Sequence, residues 1–415
     1  MGVRTALRPG HHLRLLEGGG ALFPAMVAAM DRAARFIYLE TYIFEFANGA
    51  LQVAEALERA ARRGVTVRLV VDGVGTPTVP AAWAARLTAA GVQWRVFQPL
   101  GQVGLLIPSR WRRLHRKLCV VDGTVGFCGG INLIDDHDDV ALGRLEQPRL
   151  DYALQVSGAL VADMQEAMEQ FWWRLQAVQA TRQRAFREAW EAAREVLPRG
   201  EPWEWWNSAD ASAAQPGSSD LHTPQAHAAL LLRDNVSHRH DIEKAYLKAI
   251  GEARHDILIA NAYFIPGRRL RRALRLAVQR GVRVRLLLQG RYERFLQYHA
   301  ARPVHHRLLQ AGVEIHEYAP SALHAKVAVI DGRWATVGSS NLDPLSLLLA
   351  REANIVTTDA TFARQLRDRL QRLLQEQGRP LTLDEMAARD WRTRWRDAIA
   401  FAIMRTVLFL TGHRY

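Results

Sequence analysis

The chain has 415 residues, more than one ordinary domain carries, and its 49% hydrophobic and 23% charged content lies in the globular range, so a sizeable core can be buried. Two cysteines, Cys119 and Cys128, exclude a disulfide framework and suit a reducing compartment. A formal net charge of +13 favours anionic partners: nucleic acid, an anionic lipid surface or a phosphate-bearing substrate.

The first residues, Met1-Gly2-Val3-Arg4-Thr5, run into polar sequence without the apolar stretch of a secretory signal. Gly18-Gly19-Gly20 reads as a turn. A strand-like run, FIYLETYIFEF (36–46), ends in a Tyr-rich turn and leads into an amphipathic Ala/Leu/Arg helix pattern. Arg63-Gly64 stops that helix, and the buried strand of ARRGVTVRLVVDG (61–73) follows. A second helix closes with AAGVQWRVFQP (89–99). Arginines then alternate with Trp111 over Arg110–Arg113, a pattern suited to anionic headgroups. LHRKLCVVDGTVGFCGGINL (114–133) reads as an apolar hairpin. Asp135-Asp136-His137-Asp138-Asp139 reads as a solvated acidic loop, not a metal cluster. A charged helix spans 160–196. Pro198, Gly200, Pro202, Pro216, Gly217, Ser218, Ser219 and Pro224 then give 198–225 the composition of a linker, with Trp203, Trp205 and Trp206 inside it.

After the linker the series recurs in the same order and at nearly constant offset: ILIANAYFIP (257–266), VQRGVRVRLLLQG (278–290), QAGVEIHEYAP (310–320) and LHAKVAVIDGRWATVGSSNL (323–342). One βα-rich unit is present twice, which predicts an α/β layered fold with a parallel or mixed sheet. The expected layout is a first domain at 1–197, a linker at 198–225, a second domain at 226–378 and a basic amphipathic tail at 379–415. No apolar run reaches the ~20 residues that span a bilayer. The nearest, Ala398 to Leu410, is interrupted by Arg405, so any membrane is met from the side. Trp391, Arg392, Arg394, Trp395 and Arg396 before it suggest an interfacial amphipathic helix.

Each repeat carries chemistry on its hairpin. His115, Lys117 and Asp122 are followed by Gly129-Gly130 and Asn132; His324, Lys326 and Asp331 by Gly338-Ser339 and Asn341. On a strand, His and Lys two residues apart share a face. Asp122-Gly123 and Asp331-Gly332 fall where each strand turns back, so these aspartates, though members of the catalytic motif, suit shaping the hairpins. Lysine, asparagine and a small corner that lets backbone N–H groups approach make a phosphate cradle around an imidazole. Two cradles face to face set two imidazoles across one phosphate, one to attack phosphorus and one to protonate the leaving alkoxide.

The duplicated pattern His-x-Lys-x4-Asp-x6-Gly-(Gly/Ser)-x-Asn resembles the paired signature of the phospholipase D superfamily. The longer stretches 230–250, 257–275 and 324–355, with Gly129-Gly130-Ile131-Asn132 in the first half, are similar to bacterial cardiolipin synthases of the B subtype. The resemblance implies two tandem phospholipase D-like α-β-α domains related by a pseudo-twofold, with the active site at their interface. It implies a phosphohistidine on His115, with His324 as general acid and then base, and no metal or cofactor. It also implies a downstream carboxylate for each histidine, at the matching positions Asp151 and Glu352. The activity implied is transfer of a phosphatidyl group between lipids such as phosphatidylglycerol to give cardiolipin, by a peripheral protein on the cytoplasmic face of the membrane. The alternatives are a phospholipase, phosphodiesterase or nuclease with water as acceptor, and a non-catalytic binding protein. Retention of all four His and Lys residues speaks against the last. The absence of a recognisable nucleic-acid module speaks against nucleic acid as partner, and no obligate protein partner is evident.

Overall fold

The computed structural model describes residues 7–99, 111–140, 142–182, 223–234, 238–291, 295–343 and 350–410. The first half contains β1 (Arg8–Glu17), α1 (Gly18–Asp31), β2 (Phe36–Thr41), α2 (Asn48–Arg62), β3 (Thr66–Asp72), α3 (Ala81–Ala89), β4 (Gln93–Phe97), β5 (Arg113–Leu114), β6 (Lys117–Val121), β7 (Val125–Gly129), the small pair β8 (Asp138–Asp139) and β9 (Gly143–Arg144), β10 (Tyr152–Gly158) and α4 (Leu160–Arg182). The second contains β11 (Thr223–Arg233), α5 (Asp241–Glu252), β12 (Asp256–Asn261), α6 (Arg268–Gln279), β13 (Arg283–Gln289), α7 (Phe295–Gln310), β14 (Glu314–Tyr318), β15 (Lys326–Ile330), β16 (Trp334–Gly338), β17 (Ala350–Thr357), α8 (Ala360–Gln377), β18 (Gly378–Pro380), α9 (Leu383–Ala387) and α10 (Trp391–Leu410).

Apart from the edge strand β18, the sheet order β14-β13-β12-β15-β16-β17-β11-β1-β10-β7-β6-β2-β3-β4 matches repeat to repeat from its two ends. The halves join where β1 and β11 pair antiparallel, so a single mixed sheet runs through the molecule. β6 and β15 are buried along their whole lengths, because helices cover both faces. One helical layer is shared: α4 and α8 pack with Leu154, Leu230 and Ile355 in a core that crosses the midline. The other layer is separate in each half, α1 and α2 over the first and α5, α6 and α7 over the second. Each fully buried Leu or Val contributes about 1.5–3 kcal/mol to holding these layers.

The Arg-Gly pairs do more than stop helices. Gly64 and Gly281 take φ of +89° and +85°, while Arg63 and Arg280 each donate, at 2.8 Å, to a carbonyl ending the preceding helix of their own repeat, Met30 and Ile250. The glycine run differs from its reading as a turn. Gly18 has φ +72° and opens α1, whose Gly19 and Gly20 amides donate to Asp136 at 2.6 and 3.3 Å. Asp135–Asp139 is accordingly half-buried and not a solvated loop, since its carboxylates cap α1 and pair with Arg144. The linker tryptophans and residues past Arg182 in the expected 160–196 helix lie outside the described residues.

Candidate active site

The two hairpins turn at their Asp-Gly pairs. Asp122 and Asp331 have φ of 52° and 53°, a conformation a β-branched residue resists but Asp tolerates. Each carboxylate is filled by three backbone N–H groups: Ala34, Arg35 and Phe36 on Asp122 at 2.8–2.9 Å, and Arg254, His255 and Asp256 on Asp331 at 2.8–2.9 Å. Each lies five positions, roughly 16 Å, along the hairpin from the lysine of its motif. Asp122 and Asp331 thus sit away from the His-x-Lys ends of their hairpins, with their carboxylates taken up by backbone N–H groups. They pin the far end of each hairpin to its neighbouring strand.

At the near ends the halves interlock. β5 runs parallel to the start of β17, and His115 N–H donates to Arg351 O at 3.0 Å. Leu150 N–H donates to Ala322 O at 2.9 Å, and His324 N–H donates to Leu150 O at 2.8 Å. The residue after each acceptor of a histidine N–H is a carboxylate of the opposite repeat. His115 Nδ1 thus lies 3.0 Å from both oxygens of Glu352, and His324 Nδ1 lies 2.6 Å from Asp151 Oδ2. Both carboxylates are buried, while the histidine side chains keep 16% and 18% exposure, which leaves Nε2 to face a substrate.

Lys117 Nζ donates to His115 O at 2.7 Å, and Lys326 Nζ donates to the matching carbonyl of His324. Lys326 Nζ also approaches His324 Nδ1 at 2.7 Å and Asp151 at 3.7 Å. Asn132 accepts from Ile43 N–H at 3.2 Å, which directs its NH2 end away from that backbone. Asn341 is buried beside its own motif. The corner residues differ between halves. Ser339 Oγ donates to Glu352 Oε2 at 2.6 Å, whereas a Cβ on Gly130 would meet Asp151 Oδ1 at 2.4 Å, so only glycine admits that carboxylate.

The charges follow from this packing. Burial and the nearby lysines lower both histidines, His324 well below its ordinary 6.5. Burial lowers Lys117 to about 7, against the pull of Glu352 and with the push of Lys326. Burial pushes Glu352 up, but His115, Lys117 and Ser339 outweigh it and hold the carboxylate below its ordinary value. Burial prevails at Asp151 and raises it despite Lys326. The result is two lysines, two histidines lowered from their ordinary value and two carboxylates shifted in opposite directions where the repeats meet.

A family model described as "Cardiolipin synthase, PLD-like domain" matches residues 26–139 and 246–374, taking in both hairpins. The chain belongs to the phospholipase D-like cardiolipin synthase family. It is 36% identical over 412 residues to cardiolipin synthase B of Salmonella typhi, covering 99% of this chain and 92% of the relative. It is 35% identical over 413 residues to cardiolipin synthase B of Escherichia coli K12, with the same coverage. Cardiolipin synthase A of Pseudomonas putida GB-1 is 32% identical over 377 residues, 90% of this chain and 71% of that one. Among solved structures, phosphatidylserine synthase of Haemophilus influenzae shares the fold at TM-score 0.63 and 12% identity, over 96% of this chain and 93% of that chain.

Within this family frame, three groups that the sequence reading passed over help to set the site. Tyr42 lies edge-on to His115 with ring centroids 5.1 Å apart and carries Lys117 Nζ 5.4 Å from its ring centre. Its signal was the Tyr-rich turn that closes 36–46, but the register shared by the repeats, Phe44 with Leu133 and Phe264 with Leu342, puts Ala262 at the matching position of the second half. Asp72, fully buried, accepts Leu114 N–H at 2.7 Å and pairs with Arg113 at 3.1 Å, fixing the strand that delivers His115. Arg113 thereby braces that strand. Asn354 Oδ1 accepts Ser340 N–H at 3.2 Å and shapes the second corner. Arg110 lies outside the described residues.

Proposed function

We propose that the protein is a phosphatidyltransferase that makes cardiolipin from two molecules of phosphatidylglycerol through a phosphohistidine on His115. The observation that carries this reading is the crossed pairing, His115 with Glu352 and His324 with Asp151. An ionised Glu352 holds the proton of His115 on Nδ1 and leaves the Nε2 lone pair for phosphorus. The phosphodiester anion enters between Lys117, Lys326, Asn132 and Asn341, and its charge favours protonation of the His324–Asp151 pair.

His115 Nε2 bonds to phosphorus, the P–O bond to the departing glycerol breaks, and His324 gives its proton to that oxygen. The hydroxyl of a second phosphatidylglycerol then yields its proton to His324 and attacks phosphorus, and His115 leaves. Two phosphatidylglycerols become one cardiolipin and one glycerol. The protein works from the side of the membrane, on its cytoplasmic face, where the free, buried thiols Cys119 and Cys128 suit a reducing compartment. The chain divides functionally into two phospholipase D-like domains at 1–197 and 226–378, a linker at 198–225, whose last residues from Thr223 already open β11, and a basic tail at 379–415.

The test is product analysis after incubation of the purified protein with phosphatidylglycerol vesicles in EDTA. Cardiolipin and glycerol in equal amounts are expected. Phosphatidic acid in place of cardiolipin would make water the acceptor and the protein a phospholipase, and no product at all would overturn both readings.

A further inference from the structure

Helix α10 has two faces. On the inner one, Asp397 Oδ1 meets His299 Nδ1 of α7 at 2.6 Å, and Ala400 and Met404 join the core of Ala300, Ala301 and Val304. At 100° per residue, Trp391, Trp395, Ile399 and Ile403 lie on the opposite side, 67%, 64%, 48% and 48% exposed. Exposed Ala398 and Ala402 fill the stripe between them. The same helical wheel sets Arg396 along one edge of the stripe, with Arg392 just inside that edge, and Arg394 and Arg405 along the other, all exposed. Phe295 and Leu296, one turn before His299 on α7, extend the apolar surface at 50% and 37% exposure.

An outward stripe of tryptophan and isoleucine between two rows of arginine is the reverse of a solvated face. No described helix is long and apolar enough to cross a membrane. We infer that the α7–α10 face seats the protein on an anionic bilayer, with the indoles at headgroup depth, the isoleucines in the acyl boundary and the arginines on lipid phosphates. A second copy is the poorer occupant, because a twofold contact through this stripe brings arginine rows against arginine rows.

The placement also connects to the site. α7 abuts the loop that carries Tyr263 and bridges through Phe264 to Leu342, the residue after Asn341, and His305 Nε2–H donates to Phe264 O at 3.2 Å. A bilayer held on α10 therefore lies against the helix that borders the second repeat's site loop. The identity of the lipid rests on the proposed transferase reading; the docking face does not.

The experiment compares the full chain with the double variant Trp391→Ser/Trp395→Ser and the triple variant Arg392→Gln/Arg394→Gln/Arg396→Gln. Binding is measured by co-sedimentation with vesicles of phosphatidylglycerol and phosphatidylcholine, or of phosphatidylcholine alone. Thermal midpoints verify folding, and turnover is measured on vesicles and on short-chain, monomeric phosphatidylglycerol. The double variant is expected to need about tenfold or more lipid for half-binding and to lose vesicle turnover by a similar factor, with short-chain turnover unchanged. The triple variant should lose the preference for phosphatidylglycerol vesicles. Unchanged sedimentation of the double variant overturns the docking face. So does an equal loss on short-chain lipid, which would mark a structural role, or a wild-type dimer that the variant dissolves without loss of vesicle binding. Vesicle binding through α10 with no cardiolipin formed from either lipid would instead sink the transferase reading and leave docking intact.

Discussion

Replacing Glu352 by Gln keeps the size of the side chain and removes its charge, and the surroundings dictate which way the amide faces. Ser339 Oγ accepts Ala353 N–H at 3.0 Å and donates to Glu352 Oε2 at 2.6 Å, its other acceptor, Ala353 O, lying farther away at 3.3 Å. In the variant the carbonyl oxygen of the amide takes the Ser339 proton, and the NH2 group faces His115 Nδ1. That nitrogen must then accept, so the imidazole proton moves to Nε2, the atom that has to attack phosphorus. Losing a charge-assisted hydrogen bond accounts for about 1.5–3 kcal/mol. Inverting the tautomer of a nucleophile's histidine brings the loss to about 10^4 in rate, or about 5.5 kcal/mol. Adding Ser339→Ala lets the amide turn over and present its oxygen to Nδ1, so the double variant should regain about tenfold or more of the lost rate. The assay is the single-turnover rate of glycerol release from phosphatidylglycerol in mixed micelles. A Glu352→Gln variant within tenfold of the parent, or no gain from the second substitution, refutes the tautomer argument.

With a phosphatidyl ester of p-nitrophenol, whose leaving group needs no proton, His324→Ala should release one nitrophenolate per protein in a burst and then stall on the phosphohistidine. His115→Ala should show no burst, and the opposite pattern would exchange the two roles. The pH profile of kcat/KM should rise through a limb below 6.5 as His115 loses its proton and fall near pH 7 as the Lys117 ammonium, lowered to about 7, is lost. In kcat the falling limb should move up, because the bound phosphodiester favours the ammonium; a plateau of kcat/KM through pH 9 would contradict this. Asp331→Ala should cost about 2–3 kcal/mol of stability and leave the kcat of folded protein unchanged. Burial pushes Asp331 up, yet its backbone N–H bonds outweigh this and hold its folded value below 3.8. Its contribution is therefore present above pH 3.8 and lost as pH falls through the lower folded value, which acid unfolding of parent and variant will compare.

Much of this was legible because duplication doubles every signal. The repeated strands, the Arg-Gly stops, the hairpins and the His-x-Lys faces each appear twice, and Asp151 and Glu352 could be matched by the family resemblance. Which carboxylate serves which histidine was not legible. The partners lie 237 and 173 residues apart, and only the pairing of β5 with β17 and of Leu150 with Leu323 brings them together. Asp72 escaped notice because a lone aspartate at a strand end has no pattern until the strand it pins is in place. The tail shows the limit of periodicity. Its residues suggested an interfacial amphipathic helix, and the structure gives α10 an inner face against α7 together with an outward apolar stripe.

The crossing of the carboxylates has a consequence for what a fused chain can do that a pair of identical half-chains cannot. A symmetric dimer of the first half would set each His115 against an Asp151, and a dimer of the second would set each His324 against a Glu352, so both imidazoles would always have the same basicity. Joining unlike halves in one polypeptide gives one histidine a serine-braced glutamate and the other an aspartate seated against a glycine. Each substitution at such a position then tunes one proton without disturbing the other, and the labour of attack and of proton transfer can be divided between two residues of the same kind.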